Sequence, residues 1–285
     1  TARISRTTQP REREGALVRD VPHRDKDQEI GVSLATPATI RRLQEALGTK
    51  AKQAPAYRFY LLYDKVYRAD ILAHAYARAK QRGGAAGVDG ETFETIEAAG
   101  WERWLAAVQD ALRTETYRPQ PVRRVRIPKP AGGERPLGIP TIRDRVVQGA
   151  VLLILHPIFE VDMEPTAYGY RPGRRAHAAV ETVHRALCAW QTQVVDADVS
   201  QYFDTIPHTA LLQVLARRIS DRKLLRLLKQ WLKTPVAEPT GRGGWRYTGG
   251  KRATRGIPQG GVISPLLANL YLRAFRQAGL DRRYG

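Results

Sequence analysis

Cysteine and methionine each occur once in the 285 residues. The lone Cys188 excludes an internal disulfide and any cysteine-rich zinc site. No apolar run approaches the length that spans a bilayer, and the first residues hold no secretory apolar stretch. These absences predict a cytoplasmic protein of bacterial type that does not enter a membrane. Acidic residues are also scarce: 28 Asp and Glu stand against 47 Lys and Arg, a formal net charge of +19. That excess does not suit an enzyme of small metabolites and favours a polyanionic partner, because neutralising phosphates releases counterions. Anionic lipid answers to the same charge, so charge alone leaves the partner open. Phosphate-binding loops of the common kinds are missing. Residues 83–90 are glycine-rich but lack both the G-x-G-x-x-G spacing and the Lys-Ser/Thr of a P-loop. His177 and His184, seven apart, are too distant for an H-x-x-x-H metal pair.

What is present is organised around Val194-Val195-Asp196-Ala197-Asp198-Val199-Ser200-Gln201-Tyr202-Phe203-Asp204-Thr205-Ile206. The β-branched opening predicts a buried strand, with carboxylates arriving where that strand ends. Mg²⁺ takes hard oxygen ligands, usually one or two carboxylates completed by substrate phosphates, so sparse aspartates on a rigid strand suit nucleotidyl transfer. Of the rings that follow, Tyr202 and Phe203, one can pack into the core while the other forms a floor under a nucleotide sugar. The plainer assignment makes Asp196 and Asp204 turn or capping residues and both rings core, and this stretch alone supports it equally.

Residues 1–36 mix both charge signs without a period and predict a poorly ordered extension. Residues 37–118 read as a helical RNA-binding region. Ile40, Leu43 and Leu47 recur at helical spacing until Gly48 stops the run. Arg41 and Arg42 there form either a solvated face or an RNA contact. A second helix is expected over residues 57–82, where Arg58, Lys65, Arg68 and Arg78 are interleaved with tyrosines. Basic groups among aromatic rings can grip an RNA backbone and stack on exposed bases. The competing account is a core edge closed by tyrosines, with charges that only solubilise.

Residues 122–127 alternate apolar and basic residues like a strand with one wet face, which adds Arg123, Arg124 and Arg126 to the RNA-binding set. The chain then turns and returns as a hairpin with Lys129 and Arg135 near its tip. Such a tip clamps a triphosphate, or merely protects an exposed edge with charge. As a free edge, residues 122–127 would also self-pair, which is the basis for expecting a homodimer. Residues 141–159 predict a buried helix, and the turn of residues 168–175 contributes Arg171 and Arg174 as RNA contacts. Two leucine-rich helices follow over residues 208–219 and 221–232, with Asp221 placed to cap the second. A glycine-turned hairpin covers residues 239–250. In Gly256-Ile257-Pro258-Gln259-Gly260-Gly261 the glycines let a ligand approach the backbone, and Gln259 is placed to meet a base pair or sugar.

Several of these blocks, in this order, resemble the bacterial group II intron-encoded reverse transcriptases, also called maturases. They are Gly87-Val88-Asp89-Gly90, the hairpin from Ile127-Pro128-Lys129-Pro130 to Arg135-Pro136-Leu137-Gly138-Ile139-Pro140, Tyr168-Gly169-Tyr170-Arg171-Pro172-Gly173-Arg174, Asp198 through Phe203-Asp204, and the Gly256 to Gly261 bend. The resemblance implies an α+β fold: the fingers and incomplete palm of a right-hand polymerase over residues 119–285, behind a helical N-terminal extension. It implies an RNA-directed DNA polymerase with a two-metal Mg²⁺ mechanism. Its partners would be RNA template, DNA primer, dNTP and the intron RNA, whose splicing and mobility it would assist. On the matching positions, Asp198 is the catalytic carboxylate that binds Mg²⁺ and the Val199 carbonyl is a further metal ligand. Phe203 is the steric gate against a ribose 2′-OH, Lys129 and Arg135 hold the triphosphate, and Gln259 and Gly260 line the nucleotide pocket.

One departure matters. The family carries a Tyr-x-Asp-Asp turn after the Gln-Gly motif, whereas no adjacent Asp-Asp pair occurs here. A two-metal transfer needs such a second carboxylate source. The chain is therefore expected to be a fragment that binds RNA but extends a primer poorly alone. Two other readings stand beside this one: a non-catalytic RNA-binding or splicing module, and a reverse transcriptase of a retron or CRISPR-associated system.

Overall fold

The computed structural model describes residues 2–5, 34–128, 132–194, 196–240 and 243–284. In chain order the elements are β1 (Ala2–Ser5), α1 (Ala38–Gln53), α2 (Tyr63–Val66), α3 (Ala69–Arg82), α4 (Phe93–Ala98), α5 (Trp101–Arg113), β2 (Val122–Pro128), β3 (Glu134–Ile139) and α6 (Ile142–Glu160). Then come α7 (Ala176–Cys188), β4 (Asp196–Val199), α8 (Tyr202–Thr205), α9 (His208–Ala216), α10 (Arg222–Leu232), β5 (Pro235–Pro239), β6 (Trp245–Gly249) and α11 (Ser264–Tyr284). The fold is α+β. The extension expected over residues 1–36 lies mostly outside the described residues, and its β1 is a strand, paired antiparallel with β4.

The core is built around α6, whose apolar residues are spread round the helix instead of along one stripe. Such a helix has to be enclosed, and α1, α2, α3 and α11 pack against it. The Thr141 hydroxyl accepts from the Asp144 amide at 3.1 Å and closes its N-terminus. Gly48 of α1 faces Pro157, where an added Cβ would lie 3.4 Å from the carbonyl oxygen. The stop expected at Gly48 is thus absent: close packing on α6 outweighs a helix penalty of about 1 kcal/mol for glycine, and α1 continues to Gln53.

The single helix expected over residues 57–82 is also broken. Its first residues pair with a distant segment: the Phe59 amide donates to Arg218 O and the Ser220 amide to Phe59 O, both at 2.8 Å. One oxygen of Asp221 accepts from the amides of Leu62 and Tyr63, each at 2.8 Å. The other caps α10 through Lys223 N and Leu224 N at 3.0 and 3.1 Å. One carboxylate thereby joins the starts of α2 and α10. The same junction ends α9 at Ala216, short of the expected residue 219.

The larger sheet has the order β3-β2-β5-β6. β2 is antiparallel to β3 and, at Val122 and Arg123, parallel to β5. It is flanked on both sides only there, so the edge expected to support self-pairing is closed at its first two residues and, among the described residues, has no second strand beside it from Arg124 on. The register places odd-numbered residues of β2, β3, β5 and β6 on one face, the front, and even-numbered residues on the back. The burial expected for the strand near residue 198 is not found. β4 lies in a two-stranded sheet, Asp196 and Asp198 are exposed, and Val199 is 43% exposed. A two-stranded ribbon has too little area to cover both its faces. On α7 no residue is buried, and Val180, Val183 and Leu187 remain exposed.

Candidate active site

The Gly256 to Gly261 loop is held on both sides by backbone. The Gly256 amide donates to Ile206 O at 2.9 Å and the Ile257 amide to Phe203 O at 2.8 Å, so the loop runs antiparallel to the segment after β4. On its other side the Gly138 amide of β3 donates to Gln259 O at 2.6 Å. This approach explains the glycines. Gly138 leaves no room for a Cβ, which would meet Val122 Cγ1 at 2.6 Å and Gln259 O at 3.1 Å. Gly260 has φ of 107°, and a Cβ there would overlap the Gly138 carbonyl and sit 3.0 Å from Leu137 Cδ1. Ser264 Oγ donates to Pro258 O at 2.8 Å and closes the bend at the start of α11.

The side chain of Gln259 donates through Nε2 to Asp204 Oδ2 at 3.2 Å. Asp204 is therefore neither a cap nor a free carboxylate; it orients the glutamine. Upstream, Gln201 adopts a left-handed φ of 51° and turns the chain from β4 into the short α8. Tyr202 faces α11, where its hydroxyl donates to Ala268 O at 2.6 Å and burial pushes its pKa up. Phe203 is half-buried against the core, edge-on to Tyr202 with centroids 5.9 Å apart. Asp198 and Val199 are exposed at the end of β4. A cavity of about 190 Å³ lies behind the sheet, bounded by Arg124, Gly138, Asp204, Thr234, Arg255 and Gln259. Arg135 is exposed on the front face and does not line it. Lys129 lies outside the described residues.

The proposed RNA-binding residues divide by environment. Arg58 is exposed. Lys65 is engaged by Asp64 at 3.1 Å and by Leu61 O at 2.9 Å, and Arg68 grips Asp70 with two bonds of 3.0 and 2.7 Å. Arg78 is half-buried, and burial followed by the neighbouring Arg82 charge lowers its pKa. Arg124 and Arg126 point to the back, toward Glu238 at 3.6 Å and Glu134 at 3.2 Å, while Arg123 points to the front with its Nε buried and unpaired. Arg174 lies over the Tyr168 ring at 5.5 Å. Arg171 departs from its expected place: it is 8% exposed, binds Glu160 at 2.5 Å and donates to Glu164 O and Ala167 O at 2.6 and 2.7 Å. Those carbonyls close the turn, so its donors face inward and not toward a phosphate.

Two residues that position the site were missed. His208 donates from its backbone to Thr254 O at 2.9 Å and from Nε2 to Gly256 O at 2.8 Å, so it holds the loop. Its partners lie more than 40 residues away, and no local spacing announces them. Arg145 reaches from α6 to Pro140 O at 3.0 Å and to the carbonyls of Gly83 and Ala85. It ties the glycine-rich segment to the base of the hairpin, and Gly87 beside it has no room for a Cβ, which would lie 2.7 Å from Thr141 Cα. The donors near the end of β4 fit Mg²⁺. Asp196 and Asp198 are two apart on one strand and share an exposed face, supplying the one or two carboxylates that Mg²⁺ uses when substrate phosphates complete its shell.

A family model described as reverse transcriptase (RNA-dependent DNA polymerase) matches residues 127–281, more than half of the chain. Protein YkfC of Escherichia coli (strain K12) is 40% identical over 251 residues, 86% of this chain and 63% of that protein. The group II intron-encoded protein LtrA of Lactococcus lactis subsp. cremoris is 36% identical over 217 residues, 75% of this chain and 34% of LtrA. A chain of a solved partial Cas6-RT-Cas1–Cas2 complex aligns with a TM-score of 0.47 and 22% identity, covering 76% of this chain and 34% of that one. The chain thus spans less than two-thirds of the curated relatives it matches. Among the described residues no helix is long and apolar enough to cross a membrane. With that family match over more than half of its length, the chain belongs to the reverse transcriptase (RNA-dependent DNA polymerase) family.

Proposed function

We propose that the chain forms the fingers and part of the palm of an RNA-directed DNA polymerase encoded by a group II intron, in a protein that also binds the intron RNA to assist splicing and mobility. One observation carries this reading. The Gly256 to Gly261 loop is bonded on one side to the segment carrying Phe203 and on the other to the β2–β3 hairpin, so blocks far apart in sequence share one backbone frame. LtrA's description as intron-encoded supports the intron class over a retron or CRISPR-associated system.

In this reading the Asp198 carboxylate and the Val199 carbonyl hold Mg²⁺, which when bound neutralises the attacking and leaving oxygens of phosphoryl transfer. Phe203 restricts the space beside the sugar. Gln259, with its amide nitrogen committed to Asp204, presents its oxygen to the incoming nucleotide or its base pair. Gly260 keeps the backbone flat there. Arg135, together with Lys129, neutralises the triphosphate from the hairpin tip. RNA template and DNA primer are the partners, and the basic surface supplies the salt-sensitive part of their binding.

Extension of a DNA primer on an RNA template with Mg²⁺ and dNTPs is the test. The 285-residue chain is expected to bind the template-primer and extend it poorly, because the Tyr-x-Asp-Asp carboxylates are not in its sequence. In a form of the protein that includes such a turn, Asp198→Ala abolishes synthesis and leaves RNA affinity nearly unchanged. Robust synthesis by that variant overturns the assignment.

A further inference from the structure

A cavity of about 450 Å³ lies outside the candidate active site and is more than twice the size of the one behind the sheet. That volume falls in the range of small-ligand sites. Asp89, Glu91, Trp104, Val108, Gln120 and Arg143 line it. They come from four places in the chain: the turn before α4, the helix α5, the approach to β2 and the first turn of α6. None belongs to the Gly256 to Gly261 loop, to the hairpin or to β4, and only Arg143 falls within the family match over residues 127–281.

Each wall is held in place. Directly after Glu91, Thr92 and Thr95 close the N-terminus of α4 with reciprocal bonds of 3.0 and 3.3 Å. Trp104 is half-buried, its ring centroid 5.8 Å from that of Tyr76. The Gln120 amide donates to Asp144 Oδ2 at 3.0 Å, and the Arg143 guanidinium lies over the Tyr117 ring at 5.2 Å. Asp89 Oδ1 accepts from the Glu91 amide at 3.3 Å. Among the described residues, the side chains of Glu91, Gln120 and Arg143 and the indole N–H of Trp104 have no hydrogen-bond or ion-pair partner.

Both signs of charge thus stand around one flat ring. Two carboxylates repel a phosphate, so this cavity does not continue a basic surface that meets a nucleic-acid backbone, and Arg143 in turn opposes a simple cation. The lining suits a flat, neutral group with N–H donors on one edge and acceptors on another: donors for a carboxylate, acceptors for the guanidinium, a face for the indole. Of the four RNA bases only guanine offers a carboxylate two parallel donors, N1–H and the 2-amino group, and its O6 and N7 pair with an arginine. Adenine and cytosine carry one amino group each, and uracil a single N–H. We propose that this cavity binds a guanine base, with the Glu91 carboxylate on its Watson–Crick edge, Trp104 against its face and Arg143 on O6 and N7. The base belongs to a free guanine nucleotide or to an unpaired guanosine in RNA, since pairing occupies the edge that Glu91 needs.

Calorimetric titration of the whole 285-residue chain with GMP, AMP, CMP and UMP reads the preference. A short oligouridylate with one central guanosine, against the same strand with adenosine there, reads it in RNA. Guanine is expected to bind roughly 10- to 100-fold more tightly than the other bases. IMP, which lacks the 2-amino donor, and 7-deaza-GMP, which lacks N7, are each expected to bind about 10-fold more weakly than GMP. Glu91→Gln should erase the preference for GMP over IMP, because an amide offers one acceptor where the carboxylate offers two. Trp104→Ala should weaken binding roughly 10-fold and Trp104→Phe restore it, which separates stacking from a folding defect. Guanine preference among the mononucleotides alone names a free nucleotide as the ligand, and preference among the oligonucleotides alone names RNA. Absence of guanine preference in both sets overturns the proposal, and so does a preference that Glu91→Gln leaves intact. No readout requires synthesis, so failure of the polymerase reading leaves this site standing.

Discussion

Replacing Gly260 by alanine tests whether the loop and the hairpin form one frame. Two costs add. A non-glycine residue held at φ of 107° is strained by about 1–3 kcal/mol. The new methyl group also overlaps the Gly138 carbonyl, so the hairpin has to retreat and the 2.6 Å bond from Gly138 N to Gln259 O is lost, about 0.5–1.5 kcal/mol more. The sum is about 1.5–4.5 kcal/mol. Gly173→Ala supplies the control, because its φ is 72° and an added Cβ meets nothing within 4 Å, so it bears strain without a clash. Urea unfolding of both variants reads the difference, and amide exchange at Gly138 shows whether the damage is at the contact. Gly260→Ala is expected to be the less stable and to lose Gly138 protection. A Gly260→Ala protein as stable as Gly173→Ala, with Gly138 still protected, would refute the frame and remove the observation on which the functional reading rests.

Asp221→Ala leaves four backbone amides at the α2–α10 junction without their acceptor and is expected to cost about 2–4 kcal/mol in urea unfolding. Arg171→Ala should lower stability by about 2–3 kcal/mol, less than a fully buried pair because Glu160 keeps 33% of its side chain exposed, and should leave the salt slope of RNA binding unchanged. Arg174→Ala should do the reverse, sparing stability and reducing that slope by roughly one. Burial holds the Asp144 carboxyl above the ordinary carboxylate range. In the window between its unfolded and folded pKa the native state then binds more protons than the unfolded chain, so this group favours folding at lower pH and opposes it as pH rises through the window. The stability difference between wild type and Asp144→Asn should therefore shift with pH in favour of the variant as pH rises, and a pH-independent difference would contradict the shift.

Local chemistry was legible where it acts locally. The Thr141 start of α6, the capping role of Asp221 and the glycine turn between β5 and β6 depend on residues within a few positions of one another. What escaped was set by partners far away. Gly48 looked like a helix stop until α6 was packed against it, and residues 57–62 looked helical until Arg218 and Ser220 claimed Phe59. The arginines show the limit most clearly. Sequence gives Arg171 and Arg174 the same setting, yet one is turned inward by Glu160 and two carbonyls while the other rests on a ring. Likewise Arg123, Arg124 and Arg126 are neighbours in sequence, and only strand parity together with Glu134 and Glu238 separates the one on the front, its Nε buried without a hydrogen-bond partner, from the two paired behind. A basic composition therefore predicts that a polyanion binds, but the position of the few acids decides where. On this sheet both acids lie behind, so Arg124, Arg126 and Arg246 are paired there while Arg123 and Arg135 stand on a face to which these strands bring no carboxylate.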